Sequence, residues 1–324
     1  MTSEKNNQHL LGLDLGGTNM LAGIVRGDGA IIARTHTETY AKEGYEGVLD
    51  RIVKTVQELV SQADMELIDL SGIGLAVAGA LNVETGLVYR AENLDWDDVP
   101  LMTDLAQRLN RPVVIENDVN AAVWGEHLFG AGQERGDCFG VWVGTGIGGG
   151  LVLNGALYHG ALFTAGEFGM LISTPDGEKG FRTVEDHASR TGMRRHFARL
   201  GNDHPDSLLH ELSQGVPERV GTRELTQAYE KNDALACQII EHGADRLGTA
   251  IANFVTMLSV DTVILGGGIV EALGDRYLQR VRTQFDRDVF PTHCRECKLI
   301  HTKLEGDAGI LGAAMLAMPT TDQT

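Results

Sequence analysis

Four apolar runs in this chain end in turns built from glycine, small polar or acidic residues. They are DLGGTN at 14–19, IENDVNAA at 115–122, GTGIGGG at 144–150 and ILGGGIV at 264–270. A buried strand that stops in such a turn lets backbone N–H groups approach a bound oxyanion, because glycine has no Cβ to hold them off. Two familiar solutions are missing: neither the dinucleotide fingerprint G-x-G-x-x-G nor the P-loop pattern G-x-x-x-x-G-K-[ST] fits DLGGTN. Asp14, directly before Gly16 and Gly17 but for one leucine, would repel a bare phosphate unless a metal lay between them. The first loop therefore predicts a metal–nucleotide site of another design.

The segments around these turns alternate strand and helix. HLLGLDLG reads as a strand, and MLAGIVRGDGAIIARTHTE as two strands hinged at Gly27-Asp28-Gly29, since Asp-Gly between β-rich runs signals a hairpin. Val48, Ile52, Val56, Leu59 and Val60 recur at helical spacing. A buried strand LSGIGLAVAGALN, a short helix PLMTDLAQRLN and the strand PVVIEND complete an α/β half. The second half repeats the scheme from DCFGVWVGTGIGGGLVLNGALYHG, with helices near 184–199, 233–258 and 271–288, strands DTVILGGGI and KLIHT, and a closing helix DAGILGAAMLAM. Residues 200–222, with Pro205 and Pro217, read as a surface loop. The expected division is an N-terminal α/β domain of residues 1–117, rejoined by a C-terminal helix at 306–324, and a larger α/β domain at 118–305.

A net charge of −18 argues against nucleic acid and anionic membrane surfaces as partners. No apolar run reaches the length of a transmembrane span, and the polar start MTSEKNNQHL lacks a signal-peptide core. Four cysteines in 324 residues suit a reducing, cytoplasmic setting better than a disulfide framework. The 41 glycines, about twice the usual share, gather in the turns above rather than in linkers.

Each turn alone has an ordinary explanation. Asp118 could be the N-cap of the helix VNAAVWGEHL, and Asp14 a strand-end acid satisfied by nearby amides. All four in this order are another matter. With ENLDW, AGEFG and DAGILGAAML they resemble, over about residues 9–318, the ROK family of sugar kinases and sugar-responsive repressors.

The resemblance implies an α/β, actin-like ATPase (ribonuclease H-like) fold: two duplicated domains flanking a cleft where sugar and nucleotide meet. By motif it assigns Asp118 as the catalytic base that takes a proton from the attacking sugar hydroxyl. Gly79, Asn93, Asn117, Asp118, Glu167 and Glu185 match sugar-binding positions. Amides and carboxylates suit that work because a hydroxyl both donates and accepts. Gly16, Gly17, Thr18, Asn19, Gly144, Thr145, Gly146, Gly266, Gly267 and Gly268 match the ATP-binding loops, and Asp14 the acid that holds Mg²⁺ through water. The expected cofactors are ATP and Mg²⁺, and the family implies a homodimer.

One region departs from the pattern. After AGEFG the family has a histidine and a three-cysteine loop that bind a structural zinc. Here Met170 replaces the histidine and the shorter stretch LISTPDGEKGFRTVED holds no cysteine. A thioether is a poor zinc ligand, so the expectation is no zinc, with packing by Phe168, Leu171 and Phe181 in its place. His187 reads as an exposed helix histidine. Cys294-x-x-Cys297 lacks the second pair that would make it a convincing metal site.

The function expected is ATP-dependent phosphorylation of a hexose, glucose at its 6-hydroxyl, with N-acetylhexosamine, mannose or fructose as alternative acceptors. A non-catalytic sugar-sensing regulator is the alternative of another class. The roughly ten residues before LGLDLGG are too few for a helix-turn-helix domain.

Overall fold

The computed structural model describes residues 8–319. They divide into two compact units: 8–133 with 157–165 and 303–319, and 134–156 with 166–302. The end of the anticipated 306–324 helix lies outside the described residues.

In the first unit β1 (His9–Leu15), β2 (Asn19–Arg26) and β3 (Ile31–Glu38) run antiparallel, turning at Asp28-Gly29 as the sequence predicts. β4 (Leu70–Val77) pairs parallel to β1. A small sheet of β5 (Ala80–Asn82), β6 (Leu87–Ala91) and β7 (Trp96–Val99) intervenes before β8 (Val113–Asn117) closes the order β3-β2-β1-β4-β8. Strand alternation sorts β1 onto two faces. Leu11, Leu13 and Leu15 join the core formed with α1 (Gly44–Gln62) and α2 (Leu101–Leu109), where the five helically spaced residues of α1 are all buried.

Leu10 faces the other way, toward α10 (Ala308–Leu316), and Gly12 and Asp14 continue that face. The approach of this Ala- and Gly-rich helix is close: a Cβ on Gly12 would lie 2.0 Å from the Ile310 carbonyl oxygen, and one on Gly74 1.8 Å from that of Ala313. As a result the first turn of α10 is held against Asp14, whose Oδ2 would be 2.7 Å from a Cβ on Gly309.

The boundary expected at 117/118 lies instead near 133/134. The reason is α3 (Asp118–Phe129), which packs on α10 so closely that a Cβ on Gly125 would be 2.3 Å from the Ala308 oxygen. This contact keeps α3 in the first unit.

The second unit repeats the sheet order. β9 (Cys138–Val143), β10 (Ile147–Leu153) and the short β11 (Ala156–Leu157) form the meander. β12 (Thr262–Gly266) and β13 (Lys298–His301) add in parallel, giving β11-β10-β9-β12-β13. The helix expected at 184–199 is two, α4 (Val184–Ala188) and α5 (Arg190–Leu200), parted at Ser189, whose side chain accepts from Gly192 N and caps α5. Residues 200–222 are not a plain loop: they contain α6 (Leu208–Ser213), with Leu209 and Ser213 buried. Then follow α7 (Thr222–Glu230), the long α8 (Ala234–Leu258) and α9 (Gly268–Asp288). No helix among the described residues is long and apolar enough to cross a membrane.

Candidate active site

In the first unit the loop 16–19 turns three of its carbonyls inward. Gly16 N donates to Asn19 O at 2.9 Å, while Thr39 gives its hydroxyl to Gly16 O at 2.7 Å and its amide to Thr18 O at 2.8 Å. Acceptors that would repel a phosphate are thus engaged, and Thr18 and Asn19 stand exposed. Asn93 lies against this loop, since a Cβ on Gly17 would be 2.6 Å from its Cβ.

Register places Asp14 beside Ala76 and Ala76 beside Glu116, so Asp14 and the start of α3 lie at the carboxyl ends of parallel strands. Open α/β sheets bind ligands at such ends. The capping reading of Asp118 is resolved here, because Asn117 does the capping. Its Oδ1 accepts from Val119 N at 2.9 Å and Asn120 N at 3.1 Å, and its Nδ2 donates to Gly79 O at 3.1 Å. Its amide also hydrogen-bonds the Asp118 carboxylate, so Asn117 ties together the helix start, Gly79 and Asp118. Asp118 occupies the first helical position, and desolvation raises its pKa above the ordinary aspartate value despite hydrogen bonds from the backbone and Asn117. Asp14 is pushed up to about 7, by burial first and then by the charge of Asp118. Asp14 is a buried carboxyl whose ionisation burial and the Asp118 charge oppose, a conflict that a divalent cation beside it would relieve, so Asp14 fits Mg²⁺.

Behind them sits a residue the motifs did not single out. Glu116 is buried and accepts from Asn117 N at 2.9 Å, Asn120 Nδ2 at 3.0 Å and His159 Nε2 at 2.7 Å. That last bond raises the His159 pKa. Glu116 thus orients the strand end that carries Asn117 and Asp118.

The second unit builds its glycine loop the same way. Gly144 N donates to Gly146 O at 2.9 Å, Arg190 N to Gly144 O at 2.9 Å, and the Thr191 hydroxyl to Thr145 O at 2.8 Å. Glu185 accepts from Ile147 N at 2.7 Å, so one of its oxygens braces the loop. Arg190, which sequence reasoning missed, donates to Thr145 Oγ1 and brings a positive charge to a loop of phosphate-binding design. Gly267, at φ 88°, turns β12 into α9. A Cβ there would lie 2.6 Å from Val143 O, which sets Gly266–Gly268 and the N-terminus of α9 beside the 144–146 loop. Glu167 is exposed at the head of the turn Phe168–Met170. Asp14, Asn93, Asn117 and Asp118 are therefore grouped in one unit, and Glu167, Glu185 and the loops 144–146 and 266–268 in the other.

The segment after AGEFG departs from expectation. Phe168 is buried and packs on Phe139 and Phe254, and Phe181 meets His196 edge-on, but Leu171 is exposed and replaces nothing. Met170 is 48% exposed. His187 is not an exposed histidine: it is 4% exposed, and its ring meets those of His196 and His242. Cys294 and Cys297 are free thiols, and burial pushes the Cys297 thiol up to about 12, which makes it unreactive.

Fold and loops together define a two-unit α/β protein of the actin-like ATPase type, built to hold a nucleotide. The ROK family profile matches residues 10–319, and the chain belongs to the ROK family. Its sequence is 35% identical to a glucokinase of Thermotoga maritima over 312 residues, 95% of this chain and 96% of that one. A putative xylose repressor of Caldicellulosiruptor is 28% identical over 97% of this chain and 81% of its own length. Among solved structures, a ROK family glucokinase from Streptomyces griseus in complex with glucose and AMPPNP superposes with a TM-score of 0.81 at 30% identity, covering 95% of this chain and 99% of that one.

Proposed function

We propose that this chain is an ATP-dependent hexose kinase that phosphorylates glucose at its 6-hydroxyl. The observation that carries the reading is the division of labour at the start of α3: Asn117 takes the cap, and Asp118, at the first helical position, has its pKa raised by desolvation despite hydrogen bonds from backbone amides and Asn117. A carboxylate of that kind can accept the proton of an attacking hydroxyl as the phosphoryl group transfers. Glucokinases among its relatives support glucose as the acceptor.

The remaining roles follow from the chemistry of each unit. Asn93, Gly79 and Asn117 serve sugar hydroxyls in the first unit, and Glu167 and the second oxygen of Glu185 in the other. The inward-turned carbonyls of loops 16–19 and 144–146 leave amide groups to meet phosphate oxygens, with Arg190 adding charge, and Gly266–Gly268 admit the nucleoside close to the backbone. Asp14 would hold Mg²⁺ through water, and the ion would supply neutralisation of phosphate charge. Without a thiolate loop, the family's cysteine-based zinc site has no counterpart here. The protein acts in the cytoplasm as a homodimer, with a small-molecule sugar as its partner and neither nucleic acid nor membrane.

The test is a coupled ADP-release assay with Mg-ATP across glucose, mannose, fructose and N-acetylhexosamines. Turnover with preference for glucose is expected. Turnover on another sugar alone would move the acceptor, and silence across the panel in folded protein would overturn the kinase reading in favour of a sugar-sensing regulator.

A further inference from the structure

Three histidines that lie 9 and 46 residues apart in sequence meet in the second unit: His187 on α4, His196 on α5 and His242 on α8. His187 Nδ1 is 3.0 Å from His196 Nε2 and 3.2 Å from His242 Nε2, and one nitrogen from each ring lies within 4.8 Å of the others. Hydrogen bonding alone does not satisfy this arrangement. A neutral imidazole has one proton and one in-plane lone pair, so His187 Nδ1 can accept well from one N–H only. The second nitrogen aimed at it then faces either an N–H already shared or another lone pair. A cation at the centre would take a lone pair from each ring.

From this geometry we propose that His187, His196 and His242 form a transition-metal site of the zinc type, distinct from the nucleotide loops and from any cysteine. Three imidazoles at Zn–N distances of about 2.0–2.1 Å with tetrahedral angles stand about 3.4 Å apart, close to the two separations found, and leave a fourth position for another ligand. The surroundings are those of a prepared ligand set. Thr174 Oγ1 is 3.1 Å from His187 Nε2, and the Phe181 backbone also bonds His187, so the loop after AGEFG orients that ring from outside. A metal here would tie α4, α5 and α8 to the loop that leads from Glu167 to Glu185. The site stands independently of the kinase reading and replaces the expectation of a zinc-free protein.

The experiment uses full-length protein purified without a histidine tag and stripped with a chelator. Co²⁺ is titrated against visible absorption, then displaced with Zn²⁺. One Co²⁺ per chain is expected, with the intense bands of tetrahedral coordination, and Zn²⁺ should release it. His196→Gln and His242→Gln should each weaken binding at least tenfold, and Thr174→Val, which removes no ligand, by roughly tenfold. Cys294→Ser with Cys297→Ser should change nothing. Should the histidine variants fail to fold, a rise of the wild-type Tm with added Zn²⁺ that Thr174→Val diminishes supports the site in their stead, and a wild-type Tm that ignores Zn²⁺ counts against it. Absence of saturable binding, weak octahedral bands only, or affinity unchanged by the histidine and threonine variants overturns the proposal.

Discussion

Glu126→Gln isolates one carboxylate on which the first unit depends. Glu126 on α3 is 0% exposed. Its Oε2 accepts from Ala131 N at 2.6 Å, and its Oε1 from both Lys303 N and Leu304 N at 2.8 Å. These bonds fix the chain as it returns to start α10, the helix whose first turn lies against Asp14. Glutamine keeps the shape, and its one oxygen can retain the Lys303–Leu304 pair. Bonds to a charged acceptor contribute roughly 1.5–3 kcal/mol and neutral ones roughly 0.5–1.5, so two bonds weaken by about 1 kcal/mol each. The third is lost outright, because the new NH₂ confronts the Ala131 N–H, at a further cost of about 2 kcal/mol. A buried amide is cheaper to desolvate than a carboxylate, which returns part of that sum. The net loss expected is about 2–3 kcal/mol. Urea denaturation followed by tryptophan fluorescence measures it, since Trp124 sits two residues away on α3. The midpoint should fall with the slope unchanged. A change below about 0.5 kcal/mol, the level of an ordinary surface substitution, would mean that Glu126 does not anchor the return to α10.

Other consequences can be measured in the same protein. Gly74→Ala places a methyl 1.8 Å from Ala313 O, backbone against backbone, and should cost about 3 kcal/mol or more or leave the protein insoluble; wild-type stability would mean α10 does not lie where described. Asn117→Ala removes the α3 cap, worth about 0.5–2 kcal/mol, and should lower kcat by more than KM rises, because Asp118 loses its fixed position. A KM effect alone would contradict that role. The raised His159 pKa makes its pairing with Glu116 a source of stability fully present below about pH 6.5 and lost as pH rises through the folded-state value. His159→Gln should therefore narrow the difference in Tm between pH 5.5 and pH 8.5, and an unchanged difference would contradict the pairing.

Much of this architecture is legible in the residues, and the gaps have physical causes. The hairpin at Asp28-Gly29, the buried face of α1 and the glycine turns follow from local rules of period and backbone freedom. β6 and β7 escape notice because four or five residues are too few to show alternation, β5 reads as the end of the strand before it, and α6 is hidden because Pro205, Pro217 and polar neighbours mask a single buried leucine. The extension of the first unit through α3 depends on Gly125 meeting α10, a contact between residues far apart in the chain. Asp14, Asp118 and the loops are readable because their motifs are contiguous. Glu116, Glu126, Arg190 and the histidine trio are not, since each acquires its role only from partners on distant elements. His187 is the plainest case: the short polar helix VEDHA suggests exposure, and α5 and α8 bury the ring.

The assignment of Asp118 as the base of a glucose-phosphorylating enzyme is the step on which the proposed function rests. It is tested by steady-state ADP release from Mg-ATP and glucose, wild type against Asp118→Asn, with glucose binding checked by calorimetry. A fall in kcat of about 10²–10⁴-fold is expected, with glucose affinity largely retained. A folded Asp118→Asn protein that turns over at the wild-type rate would remove Asp118 from the chemistry.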